Sequence, residues 1–172
     1  MPDLSQMPWM LAVWSVAYFA IVAVHECGHY LAGLAVGVPR RNMRIRLLTF
    51  PQHVALRDGD EWGSPADTDR YIRPAEPLMP TAATAFIFVA GGFILETATL
   101  LLLAAYRLPF FRVACTLAFW MTVIYFAFDV FVYLRTRKAG MDFSAMCSIS
   151  PVFGCLIVTA VLGIQFCIAT QL

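Results

Sequence analysis

The chain is 172 residues long, one domain's worth, and 60% of it is apolar against 13% charged, with a net charge of +1. Water-soluble domains run at about 45–50% apolar and about 25% charged, so a mean hydropathy of +0.73 excludes that class and makes a lipid bilayer the solvent. The balance of 12 Lys and Arg against 11 Asp and Glu argues against a nucleic-acid partner, which would need a one-sided surplus of base.

A spanning helix takes roughly 20 mostly apolar residues. Four stretches qualify: residues 9–36, 80–106, 109–134 and 150–170. The expected fold is an all-α membrane protein of about four transmembrane helices, a single polytopic domain over residues 1–172. Met1 to Pro8 has no Lys or Arg, so no positively charged secretory leader is expected and the first span should be retained.

Between the first two spans, the polar stretch 38–77 holds seven arginines and six acids and belongs in water or at the headgroups. Within it Met43, Ile45 and Leu47, then Val54 and Leu56, alternate with polar neighbours around Thr49-Phe50-Pro51-Gln52, the pattern of a short β-hairpin. From Asp58 onward, Gly59, Pro65, Pro74 and Pro77 give turn chemistry without a period, and loop is expected there. Gly33 and Gly37 make a small-residue packing face. The five cysteines form no C-x-x-C pair and are expected as buried, reduced thiols.

The arginines set the orientation. Seven in the first loop, and Arg135, Arg137 and Lys138 after the third span, outweigh Arg107 and Arg112 between the second and third. The positive-inside rule then puts the ends of spans one and three on the cytoplasmic side and both termini outside.

The cluster His25-Glu26-Cys27-Gly28-His29 interrupts the first span, where ionisable groups are expensive and by default functional. On a helix, His25 and His29 are one turn apart on one face, so both imidazoles can reach one Zn²⁺, while Glu26 stands beside them as a base. With three His and four Glu in the chain, this H-E-x-x-H arises by chance about once in a thousand such sequences. A hydrogen-bonded cluster between packed helices, without metal, is the bland alternative. His53, the remaining histidine, reads as a solvated loop residue.

A catalytic zinc needs a third protein ligand and an open fourth position. Asp142, Asp129 and Glu96 are the candidates. His25 lies about 16 Å along its helix from the cytoplasmic end, so Asp142, just before the fourth span, would have to dip inward on a re-entrant or unwound segment. Asp129 lies inside the third span. Glu96, midway along the second, reads mainly as a helix-packing or proton-path acid.

These residues resemble the site-2 protease family of intramembrane zinc metalloproteases, which carries H-E-x-x-H in one span and an Asp-containing motif two spans later. His25, Glu26 and His29 match the first motif, and Ala90-Gly91-Gly92 is similar to the family's glycine-containing element in the following span. Gly140-Met141-Asp142 resembles the Gly-x-Asp form seen in small, compact members, with Phe143 in place of the usual small residue. Asp129 falls near the position of the family's Asn. The resemblance implies Zn²⁺ held by His25, His29 and Asp142, with Glu26 as catalytic base. It further implies hydrolysis of peptide bonds in membrane or membrane-proximal substrates, in a bacterial inner membrane with the site towards the cytoplasm.

The rival function is a non-proteolytic metal-binding membrane protein serving assembly or transport on the same fold. An intact Glu26 favours the enzyme, because a structural site has no use for an unliganded carboxylate there. Ion or proton transport along Glu96, Asp129 and the histidines lacks the internal repeat that transporters carry.

Overall fold

The computed structural model describes residues 7–65, 67–108 and 110–170. The expected absence of a leader at Met1 to Gln6 and the start of the third span at Pro109 fall outside these residues. In chain order the elements are α1 (Met7–Ala35), a single 3-10 turn at Arg40–Asn42, β1 (Met43–Arg46), β2 (His53–Asp58), β3 (Glu61–Gly63), α2 (Thr68–Leu78), α3 (Ala82–Ala105), α4 (Phe111–Thr136), α5 (Asp142–Ile149) and α6 (Pro151–Thr170).

Among the described residues, α1, α3, α4 and α6 are long and apolar enough to cross a membrane, and they fall on the four expected stretches. Beyond Pro8 in the first turn of α1 no proline falls in α1, α3 or α4, and Pro151 opens α6 at the first helical position; in a first turn the missing N–H costs nothing. Val16, Phe19, Ile124, Phe131, Val152 and Phe166 turn outward, an arrangement that lipid tolerates and water does not. The five cysteines are free, yet only Cys115 is buried; Cys27, Cys155 and Cys167 are exposed instead. An apolar outer surface accommodates a thiol as well as a core does.

The glycine pair of α1 divides its duties. Gly33 packs against Met43 and Phe88, but Gly37 lies beyond the helix at φ +94°, where Val38 N donates to Gly33 O (2.9 Å) and Gly37 N to Leu34 O (3.1 Å). That is a Schellman end, which only a residue without a side chain adopts cheaply. It turns Val38 inward, onto a core of Met43, Val54, Leu56, Met79 and Phe88.

The sheet has three antiparallel strands in the order β1-β2-β3, one more than the hairpin expected, with Met43 opposite Leu56 and Arg46 opposite His53. It does not rest beyond the end of α1. Met43 meets Gly33, and at the far end of the hairpin Tyr18 Oη donates to Gln52 Oε1 (3.3 Å), so the ribbon runs back along α1 for about 22 Å. Non-helical backbone at such depth is tolerated where protein covers it, and Val54, Ala55 and Leu56 of β2 are buried.

The segment expected as loop holds β3 and α2. Pro74 and Pro77 lie inside α2, each removing one helical N–H. Tertiary contacts outweigh that loss: Tyr71, Ala75 and Leu78 pack on the Val54–Leu56 core, and Tyr71 Oη donates to Val54 O (3.0 Å). Asp67 caps the first turn, and Arg73 and Arg70 pair with Asp58 and Glu61 of the sheet.

The remaining helices close the bundle. α5 sits against α3, α4 and α6 over a core of Phe93, Phe143, Met146, Val158 and Val161. A Cβ on Gly154 would stand 2.8 Å from Cys147 Cα, so α6 can turn back tightly on α5.

Candidate metal centre

α1 and α3 run antiparallel and meet through glycine. A side chain on Gly28 would strike the backbone of Gly91 and Gly92, and a Cβ on Gly92 would lie 2.5 Å from His29 Nε2 and 2.7 Å from His25 Nε2. The Ala90-Gly91-Gly92 run therefore has a local purpose. Gly91 lets the helices touch, and Gly92 leaves room for the two rings.

Both imidazoles are oriented from α3. His29 Nδ1 donates to Phe88 O (2.9 Å), and since a carbonyl oxygen only accepts, Nδ1 carries a proton and Nε2 is the ring nitrogen left to face the pocket. His25 Nδ1 donates to Glu96 Oε2 (2.9 Å). Phe93 and the His25 ring meet nearly at right angles, with centroids 4.6 Å apart.

Asp142 completes the group from the first residue of α5. The non-helical residues 137–141 and then this short separate helix, lying between α4 and α6, bring it in. Asp129 of α4 accepts from Ser144 N (2.7 Å), capping the first turn of α5 from outside, while Phe143 stacks on Phe93 at 4.3 Å. Tyr125 Oη donates to Asp142 Oδ2 (3.3 Å). Burial pushes the Asp142 carboxyl up, but the facing imidazoles of His29 and His25 more than offset it and hold the group below the usual carboxylate range.

The three donor atoms form a triangle: His25 Nε2 to His29 Nε2 is 3.0 Å, His25 Nε2 to Asp142 Oδ2 is 3.2 Å, and His29 Nε2 to Asp142 Oδ2 is 3.4 Å. Tetrahedral zinc at 2.0–2.1 Å from its ligands sets neighbouring donors about 3.3 Å apart, so these residues fit such an ion with one position left open. His25, His29 and Asp142 could thus hold a metal ion. Glu26, adjoining His25 in sequence, is buried, and its Oε2 has no hydrogen-bond partner among the described residues.

Of the acids weighed from the sequence, the structure brings Asp142 to the histidines and keeps Asp129 on the α5 cap; Glu96 touches His25 on the side away from the triangle. His53 departs from expectation. It is buried at the start of β2, with its Nδ1 donating to Pro51 O (2.8 Å), because the hairpin folds back along α1 instead of entering solvent. Sequence reasoning missed Tyr125, Gln165 and the Phe88 carbonyl. Tyr125 had a signal, four residues before Asp129 and so on the same helix face, and Gln165 had another as an amide inside an apolar span. A backbone carbonyl leaves no trace in the sequence.

Comparison with protein-family models, curated proteins and solved structures finds no match to this chain, so a functional reading rests on the geometry of the site itself.

Proposed function

We propose that this multi-pass protein is a membrane-embedded zinc metallopeptidase, the activity that its resemblance to site-2 proteases implies. The observation that carries the reading is the donor triangle of His25, His29 and Asp142 beside the buried Glu26, whose Oε2 has no partner among the described residues. Two imidazoles and a carboxylate suit zinc, which when bound would acidify a water and polarise a carbonyl.

The chain's own residues supply the rest. Glu26 accepts the proton of the attacking water and returns it to the leaving amine, one group serving as base and then as acid. Tyr125 donates to the same Asp142 oxygen that faces the two imidazoles and so steadies the carboxylate in place. A helical substrate shields its amides and must unwind to be cut, and β1, an edge of the sheet beside α1, offers main-chain pairing to an extended segment. The arginine counts favour a site facing the cytoplasm, and a bacterial inner membrane suits the family resemblance.

The test is zinc content by mass spectrometry on detergent-purified protein, with cleavage of reconstituted single-span model substrates measured in parallel. One zinc per chain is expected, lost in His29→Ala and Asp142→Ala but kept in Asp129→Ala. Glu26→Gln should keep the zinc and lose turnover by 10²-fold or more. Zinc without any Glu26-dependent cleavage would favour the non-proteolytic metal-binding reading. A folded wild type that takes up no zinc after reconstitution would remove both.

A further inference from the structure

The two metal-facing imidazoles are held by unlike partners. His29 leans on the Phe88 carbonyl, which no side-chain substitution removes, whereas His25 leans on a side chain, Glu96. Phe88, Gly92 and Glu96 recur at every fourth residue of α3 and so share one face, with Gly92 lying against both rings. That face is fitted to the histidine pair along more than two turns.

Glu96 is also more than a packing acid. It is 5% exposed, and a buried carboxylate is costly unless both oxygens are satisfied. Oε2 accepts from His25 Nδ1, and Oε1 accepts from Gln165 Nε2 (3.1 Å), which reaches across from α6 and is itself 1% exposed. The Gln165 amide orients the carboxylate, and the carboxylate orients the ring.

We propose that Glu96, held by Gln165, is the positioning residue of the metal centre: it fixes the proton of His25 on Nδ1 and so presents Nε2 to the ion. The inference rests on the metal-centre reading and adds to it a chain of contacts from α6 through α3 to α1. A carboxylate behind a ligating imidazole both sets its tautomer and raises its basicity, and loss of such a partner costs about 10–100-fold in metal affinity.

The experiment uses the full chain in detergent, stripped of metal, with zinc affinity read by competition against a chromogenic chelator and the melting of each metal-free variant recorded alongside. Glu96→Leu should bind zinc about 10–100-fold more weakly, and its metal-free form should melt lower than wild type because His25 Nδ1 and Gln165 Nε2 are left buried without an acceptor, a loss that Glu96→Gln largely spares. Glu96→Gln should restore affinity to within about tenfold, because its carbonyl still accepts from Nδ1 and its amide can turn to Gln165 Oε1, which has no partner among the described residues. Gln165→Leu should fall between the two.

Affinity unchanged in Glu96→Leu would overturn the proposal and leave the metal centre standing. Absence of zinc from folded wild type would overturn the metal centre, and the proposal with it. Should Glu96→Leu fail to fold, Glu96→Asp takes its place: it keeps the charge but falls a methylene short of Nδ1, and wild-type affinity there would overturn the proposal equally.

Discussion

Asp129 and Asp142 approach the start of α5 from two sides, and only Asp142 faces the imidazoles. Asp129 gives one oxygen to Ser144 N, an amide of the helix's first turn that has no intrahelical partner. Asp129→Ala should therefore lower stability by about 0.5–2 kcal/mol, the usual cost of a lost cap, and weaken zinc binding without abolishing it, because α5 carries Asp142. Asp129→Asn keeps an accepting oxygen and should stay close to wild type. Thermal unfolding with zinc titration separates these outcomes, and complete loss of zinc in Asp129→Ala would mean that Asp129 is itself a ligand. The sequence could not make this distinction. Both residues are acids near the C-terminal end of the third span, and which of them reaches His25, 117 residues before Asp142, depends on how a short helix is wedged among three others. The His25, Glu26 and His29 cluster was legible because its geometry lies within one helix turn.

At the scale of elements, what was legible followed local rules and what was not followed tertiary ones. The spans appear as apolar runs, and the first two strands appear as alternation. α2 was hidden because its prolines argue against a helix, and its stabilisation comes from the sheet it covers. Burial pushes the Tyr71 phenol well above its ordinary value, so it remains a donor to Val54 O. Tyr71→Phe removes this bond and leaves a strand carbonyl without its side-chain donor, at a cost of about 0.5–1.5 kcal/mol. Pro77→Ala, on the exposed side of the last turn, should be neutral or stabilising because it restores a helical N–H. Chemical denaturation in detergent, followed by protease sensitivity of the segment 58–78, reports on both. A Tyr71→Phe protein as resistant as wild type would show that α2 is held by its apolar contacts alone.

At the scale of the whole molecule, the site gathers every helix but α2. α1 gives His25, Glu26 and His29; α3 gives Glu96, Gly92 and the Phe88 carbonyl; α4 gives Tyr125 and Asp129; α5 gives Asp142; and α6 gives Gln165. An ion in the triangle would tie α1 to α5, elements far apart in the chain that the lipid-facing surfaces do nothing to hold together. In a bilayer, apolar burial drives helix association weakly, since lipid is as apolar as the packed side chains. A cross-link between the first span and α5 then carries a larger share of the tertiary stability than it would in water. A metal that binds the folded state alone stabilises it by about 4.1 kcal/mol when free zinc exceeds its dissociation constant a thousandfold. Chelation should accordingly lower the melting temperature of wild type in detergent, and added zinc should restore it in proportion to the logarithm of its concentration. His29→Ala and Asp142→Ala, each short of one donor, should melt at the same temperature with or without chelator. Glu26→Gln should respond as wild type does, because its carboxylate lies beside the triangle and contributes no donor to it. If all these proteins shifted equally on chelation, the zinc that stabilises the fold would lie outside the triangle; if none did, α5 would be held to α1 by protein contacts alone, through α3, on which α1 packs and whose Phe93 stacks on Phe143.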